Sequence, residues 1–270
     1  HSPACASTKK PAFMSHRIHW WTDVHRSATT NLRLGCVLAG VAGATNAGGF
    51  LAVGQYTSHM SGILSSVADN LILGQLQLAL VGVALVAAFI GGSMTTAWMV
   101  NWALRRNMRS AFARPLVVEA GLLLVFGIFG AAIDHFSALF VPVTVLLLCY
   151  IMGLQNAVIT KVSHAEIRTT HVTGLLTDLG IELGKLLYFN GAVFPQKIVA
   201  NRGKLRIHAQ LVASFFGGAL LGAFGFKHAG YIATVPLSFL LLILTLGPMV
   251  DDLKNGRIAS GPVEAPGRLP

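Results

Sequence analysis

Long apolar runs separated by short polar joints set the pattern of this chain. Runs of about the length needed to cross hydrocarbon, roughly 20 residues, fall near 32–54, 77–98, 116–133, 141–162, 208–226 and 230–249. They predict six membrane-spanning helices. Two further apolar stretches, 61–74 and 173–189, are shorter and carry acids: Asp69 in the first, Asp178 and Glu182 in the second. Such stretches make poor lipid-facing spans, so they predict short re-entrant or interfacial helices packed against protein.

A polar phrase introduces each short stretch. Thr57-Ser58-His59-Met60-Ser61-Gly62-Ile63-Leu64 returns as Thr169-Thr170-His171-Val172-Thr173-Gly174-Leu175-Leu176. Two more landmarks repeat in the same order. Gly43-Ala44-Thr45-Asn46-Ala47 matches Gly153-Leu154-Gln155-Asn156-Ala157, and Phe89-Ile90-Gly91-Gly92 matches Phe215-Phe216-Gly217-Gly218. The expected fold is therefore an all-α integral membrane protein built as a 3+3 inverted repeat, each half with one extra short helix. An odd number of spans per half turns the second half over in the bilayer. The expected organisation is a basic cytoplasmic or interfacial segment at 1–31, a first membrane repeat at 32–133, a second at 141–250, and a flexible cytoplasmic tail at 251–270.

Composition supports a lipid environment. The chain is 54% hydrophobic and only 11% charged, against about a quarter charged in soluble domains. Net charge is +10, and no polar basic domain is long enough to bind nucleic acid. The basic residues cluster at 9–33, 105–114, 161–168, 185–206 and 254–268. Six spans with both termini cytoplasmic place all of these clusters inside, as the positive-inside rule requires. Trp20, Trp21, Trp98 and Trp102 then fall at the cytoplasmic interface, where indole is most stable. Residues 1–31 lack an apolar core, which argues against a signal peptide. Cys5, Cys36 and Cys149 have no metal-ligand spacing and are read as unpaired. No metal or cofactor is expected. The expected surroundings are a bilayer and an unidentified small solute.

The candidate chemistry sits at the repeated polar positions. Asn46, Thr57, His59, Ser61, Gln155, Asn156, Thr170, His171 and Thr173 are the candidate substrate-binding residues. An amide in hydrocarbon needs a partner, so Asn46 and Asn156 face protein. They serve either as links between helices, with the broken backbone of the opposite half as partner, or as substrate contacts. The hydroxyls of the two phrases suit N-caps of the short helices. The same helix ends could receive an anionic solute, and a histidine there could bind it or carry a proton. Asp69, Asp178 and Glu182 are the candidate coupling carboxylates, with a local Glu182–Lys185 ion pair as the structural alternative. Glu119 is expected near the cytoplasmic end of its span, reaching toward water. Gly91-Gly92, Gly217-Gly218 and the Gly218/Gly222 pair suit close helix packing, between halves or between subunits of a homo-oligomer.

Three functions stay open: a secondary transporter or exporter of a small solute, a non-transporting scaffold, and an intramembrane hydrolase using Ser61 with His59. The recurrence of that last grouping as Thr173 with His171 fits a structural repeat better than a single nucleophile, so a non-enzyme is expected. These landmarks resemble the YoaK-like family of bacterial multi-span membrane proteins, a domain family of unknown function, over about 32–250. The resemblance implies a polytopic protein of the bacterial inner membrane and brings no substrate with it. In that family the first phrase reads H-M-T-G-N and the first polar span position is commonly an aspartate. Here Ser61 and Ile63 replace the Thr and Asn, and Asn46 stands at the acidic position.

Overall fold

In the computed structural model, the structure describes residues 21–23, 28–130, 137–162, 172–190 and 197–255. They form eight α-helices: α1 (Ala28–Val53), α2 (Met60–Ile72), α3 (Leu76–Arg105), α4 (Ala113–Gly130), α5 (Ser137–Val162), α6 (Val172–Leu187), α7 (Arg202–Ala229) and α8 (Thr234–Asn255). A 3-10 turn, Gly230–Ala233, joins α7 to α8. Each long apolar run of the sequence has become a long helix. The two acid-bearing stretches have become α2 and α6. At 1.5 Å per residue α2 (13 residues) and α6 (16 residues) rise roughly 20 and 24 Å, short of the ~30 Å hydrocarbon core.

Four stretches of described helix are long and apolar enough to cross a membrane: Thr29–Val53, Leu76–Arg105, Val143–Val162 and Arg202–Lys254, the last running through α7 and α8. The protein is thus a multi-helix membrane protein. Its outward faces agree: Leu80, Phe216, Leu221, Phe224 and Ile243 lie exposed on α3, α7 and α8, where lipid replaces water as the solvent. Trp98 and Trp102 are exposed too, and Arg106 lies over the Trp102 ring at 4.2 Å from its centroid.

Small residues decide how the helices pair. Gly43 of α1 lies on the backbone of α7 at Phe215 and Ala219, while Gly218 and Gly222 of α7 lie on Gly40 and Ala44 of α1. The partner interface repeats this arrangement. Gly153 of α5 lies on the α3 backbone at Phe89, and Gly92 of α3 lies on Tyr150 and Leu154 of α5. Close approach then lets hydroxyls bond across helices: Ser93 donates to the Gly153 carbonyl at 3.0 Å and Thr96 to the Leu154 carbonyl at 2.9 Å. Of the glycine pairs noted in the sequence, Gly92 and Gly218 make these contacts, Gly91 has only ordinary contact with Tyr150, and Gly217 faces open space.

The contacts also fix direction. Ser214, Gly218, Gly222 and Phe226 of α7 meet Gly40, Gly40, Ala44 and Gly48 of α1 in order, so these two helices run parallel. α3 and α5 run parallel as well, from Gly92 with Tyr150 to Asn101 with Lys161. α1 and α5 run antiparallel: Leu38 meets Gln155 and Gly49 meets Leu148. So do α4 and α8, where Ser238 donates to the Ala120 carbonyl at 2.6 Å and Thr234 to the Leu123 carbonyl at 3.0 Å.

One end of the bundle is fastened by charge. Arg109, in the α3–α4 connection, pairs with Asp23 and, at 3.3 Å, with Asp251 of α8. Asp252 accepts the backbone N–H groups of Arg109 and Ser110 at 3.0 and 2.9 Å. Pro248 inside α8 has no N–H to give the Leu244 carbonyl, and the Thr22 hydroxyl fills that vacancy at 2.9 Å. Residues 21–23 are thereby docked on the bundle end, with Trp21 against the core. α8 continues to Asn255, past the position where the sequence predicts the tail to begin.

Candidate functional site

The first polar phrase builds an elbow between α1 and α2. Gly54 ends α1 with a φ of +73°, a backbone state that glycine adopts without cost. The chain then folds back, stacking Tyr56 on Phe50 at 4.4 Å between ring centroids. Thr57 is fully buried. Asn46 accepts the Ser58 N–H at 3.2 Å, so its amide serves the broken backbone of its own half, not the opposite half as the sequence suggested. The nearest broken strand of backbone is the one its own helix leads into.

The expected hydroxyl cap on α2 is not made. His59 occupies the N-cap position with no side-chain bond to the helix, and Ser61 is exposed. The imidazole instead lies against Gly62, in the space that any Cβ there would fill. His59, Gly62, Tyr56, Ser66 and Asn70 line a groove of ≈ 490 Å³ whose other wall is α3. No Asp, Glu, Lys or Arg lines it. It offers an imidazole, a hydroxyl, two amides (Gln55 and Asn70) and an aromatic stack, a set suited to an uncharged or weakly polar solute.

The second set of polar positions lies elsewhere. Gln155 is fully buried and donates to the Leu38 carbonyl at 3.3 Å, while its Oε1 has no partner among the described residues. Asn156 donates to the Met152 carbonyl of its own helix at 3.0 Å. Asn46 lies eight residues beyond Leu38 along α1, a rise of ~12 Å. Val41, Ala42, Ile151 and Met152, all buried, fill the α1–α5 crossing between the two polar levels. The Thr45 hydroxyl is buried with no partner among the described residues, as is that of Thr57. Asn46 and Asn156 are thus held at opposite ends of an apolar crossing and do not meet.

Thr170 and His171 lie outside the described residues. Thr173 is exposed in the first turn of α6, its carbonyl accepting the Thr177 hydroxyl at 2.9 Å. Of the three candidate carboxylates, Asp69 is exposed on α2. Asp178 is 58% exposed and 4.0 Å from His208. Glu182 is tied down: Lys185 donates to it at 2.9 Å and the Asn201 N–H at 2.7 Å. Asn201 in turn caps α7 by accepting the Lys204 N–H at 3.1 Å, so Glu182 staples α6 to the start of α7.

The Lys185 hydrogen bond, and after it the Asn201 N–H, hold the Glu182 carboxyl below its usual 4.5. A carboxylate whose folded value is depressed stabilises the fold fully above its ordinary value, and that contribution is lost as pH falls through the folded one. The expected result is that amide-exchange protection at Asn201 is full at neutral pH and falls only below pH 4.5. Glu182→Ala should lack that protection at every pH; unchanged protection in the variant would remove the staple from the account.

One acid lies deeper than the sequence predicts. Glu119 does not reach water. It is fully buried in α4, and neither carboxylate oxygen has a partner among the described residues. Its stripe along the helix, Leu116, Ala120 and Leu123, is completely buried as well. Helical spacing from these residues is the signal that marks the position as core-facing. Among the described residues no group of three or more His, Cys, Asp or Glu could hold a metal, and Cys36 and Cys149 are free thiols.

Residues 34–247 match the family described as "Protein of unknown function (DUF1275)". The chain is also 32% identical over 165 residues to the UPF0700 transmembrane protein YoaK of Bacillus subtilis (strain 168), covering 59% of this chain and 69% of that protein. No solved structure matches. The chain belongs to the DUF1275 (YoaK-like) family and is a multi-span membrane protein of it.

Proposed function

We propose that this protein is a secondary transporter or exporter of a small solute, working by alternating access across the bacterial inner membrane. In this reading α1, α3, α4, α5, α7 and α8 each span the bilayer, both termini are cytoplasmic, and the chain is a 3+3 inverted repeat. The observation that carries it is the exchange of helices between halves. α1 packs on α7 through Gly43, Gly218 and Gly222, and α5 packs on α3 through the repeat-equivalent Gly153 and Gly92. Equivalent helices α1 and α5 run antiparallel, as do α4 and α8. An inverted repeat has this geometry. It puts the Asn46 elbow and the Asn156 level at opposite ends of an apolar crossing, and rocking one half against the other would open each end in turn. The uncharged groove at His59 is the solute's entry on the outer side.

The arrangement is tested by labelling single cysteines from either side of the membrane. Met60→Cys is expected to react only with external reagent and Val172→Cys only with cytoplasmic reagent; reaction of both from one side removes the inverted arrangement. Transport itself is read as counterflow in proteoliposomes across a panel of uncharged and zwitterionic solutes. Flux that disappears in Asn46→Ala or Asn156→Ala supports the transporter. Folded variants with no flux in any form, the parent included, would leave the scaffold as the better reading.

A further inference from the structure

The three carboxylates that the sequence offers for coupling are all accessible or already paired: Asp69 and Asp178 are exposed and Glu182 is stapled to Lys185 and Asn201. Glu119 is the contrary case, with no exposed surface and two oxygens that nothing described satisfies. It sits beside the α4–α8 crossing, one residue from Ala120, whose carbonyl takes the Ser238 hydroxyl. Ionisable residues in the interior of membrane bundles mark ion and proton routes, because an unpaired charge there is expensive to keep.

We propose that Glu119 is a proton-binding site in the core of the bundle, loaded while α4 and α8 are closed on each other. α8 has no ionisable side chain from Thr234 to Val250, and Asp251, Asp252 and Lys254 lie in its last turns, where the two aspartates are taken up by Arg109 and Ser110. α5 contributes Cys149, Tyr150 and, at its end, Lys161; α3 ends in Arg105; the 3-10 turn contributes Tyr231. None of these makes an ion pair or hydrogen bond with Glu119 among the described residues. A proton needs a single carboxylate oxygen. A metal cation needs several oxygen ligands, and among the described residues no group of three or more His, Cys, Asp or Glu could hold one.

Glu119 lies six residues into α4, a rise of ~9 Å, from the end where Arg109 clamps Asp23 and Asp251. Opening that clamp is the step that would let the proton leave toward the cytoplasm. A coupling role for this proton rests on the transporter reading above; the binding site itself does not.

The test uses the full chain in lipid vesicles and dicyclohexylcarbodiimide, an apolar reagent. The protonated carboxyl oxygen adds to the carbodiimide carbon and its proton passes to nitrogen; rearrangement then leaves a stable N-acylurea that peptide mass spectrometry locates. The expected result is an adduct at Glu119 that weakens as pH is raised, none there with a water-soluble carbodiimide, and loss of one protonated-carboxyl infrared band in Glu119→Gln. No adduct at Glu119 in the parent chain overturns the proposal, as does equal labelling by both reagents or an infrared spectrum unchanged in the variant. The parent-chain labelling needs no substitution, so a variant that fails to fold does not blunt the test. The two readings separate cleanly. Adduct and band without solute flux leave the proton site standing and remove the transporter. Flux in a protein without either does the reverse.

Discussion

Gly153→Ala is expected to destabilise the bundle by about 1–3 kcal/mol, the usual cost of forcing a methyl into a packed interior, and more if the helices cannot part. The added Cβ would press into the Phe89 carbonyl and its neighbouring backbone. Backbone cannot rotate aside as a side-chain tip can. The α3–α5 contact would have to widen, and with it the cross-helix bonds from Ser93 and Thr96. Gly43→Ala presses in the same way on Phe215 of α7, and Gly92→Ala and Gly218→Ala press on Tyr150 and Gly40. These four variants should lose thermal stability in detergent by comparable amounts, whereas Gly217→Ala, with nothing near it, should match the parent. A large loss at Gly153 with none at Gly43 would break the equivalence of the two interfaces.

Arg109→Ala should be the most damaging change at the opposite kind of contact. Asp23 has a fully buried side chain and Arg109 is 9% exposed. Removing one member of a buried ion pair takes the counter-charge from the other, at a cost of about 3–5 kcal/mol. The same guanidinium holds Asp251, so the docked segment 21–23 and the end of α8 should loosen together. Trp21, packed on the core, reports this as a red shift of its fluorescence and an earlier thermal transition. Because the penalty comes largely from a buried carboxylate deprived of its counter-charge, adding Asp23→Asn to Arg109→Ala should recover part of the loss. A double variant no better than the single one would show that the arginine acts by packing alone.

Helices were the legible part of this chain. Apolar runs long enough for lipid stand out without tertiary information, and each became one of α1, α3, α4, α5, α7 and α8. The acids Asp69, Asp178 and Glu182 marked the two short helices, because a carboxylate is incompatible with a face turned to hydrocarbon. Glycine spacing marked Gly92, Gly218 and Gly222 as contact points. What stayed hidden was decided by partners far away in sequence. Glu119 follows Arg114 and Pro115 and looks like the watery start of a span, yet α8 and residues 21–23 pack at that end of the bundle. The Asp23–Arg109 pair joins residues with no local pattern in common. Ser61 had the right chemistry for a cap, but the elbow put His59 at the position that caps, with its ring turned onto Gly62. Asn46 found its partner in Ser58, since the chain returns to it immediately after α1 ends.

The crossed pairing of α1 with α7 and of α3 with α5 bears on the order in which the molecule is made. Synthesis delivers α1 long before α7, so its glycine-lined side enters the bilayer with no mate and must wait there, covered by lipid or by insertion machinery. α3 is released sooner, once α5 emerges. Assembly is therefore a late event, completed only once α7 has been inserted.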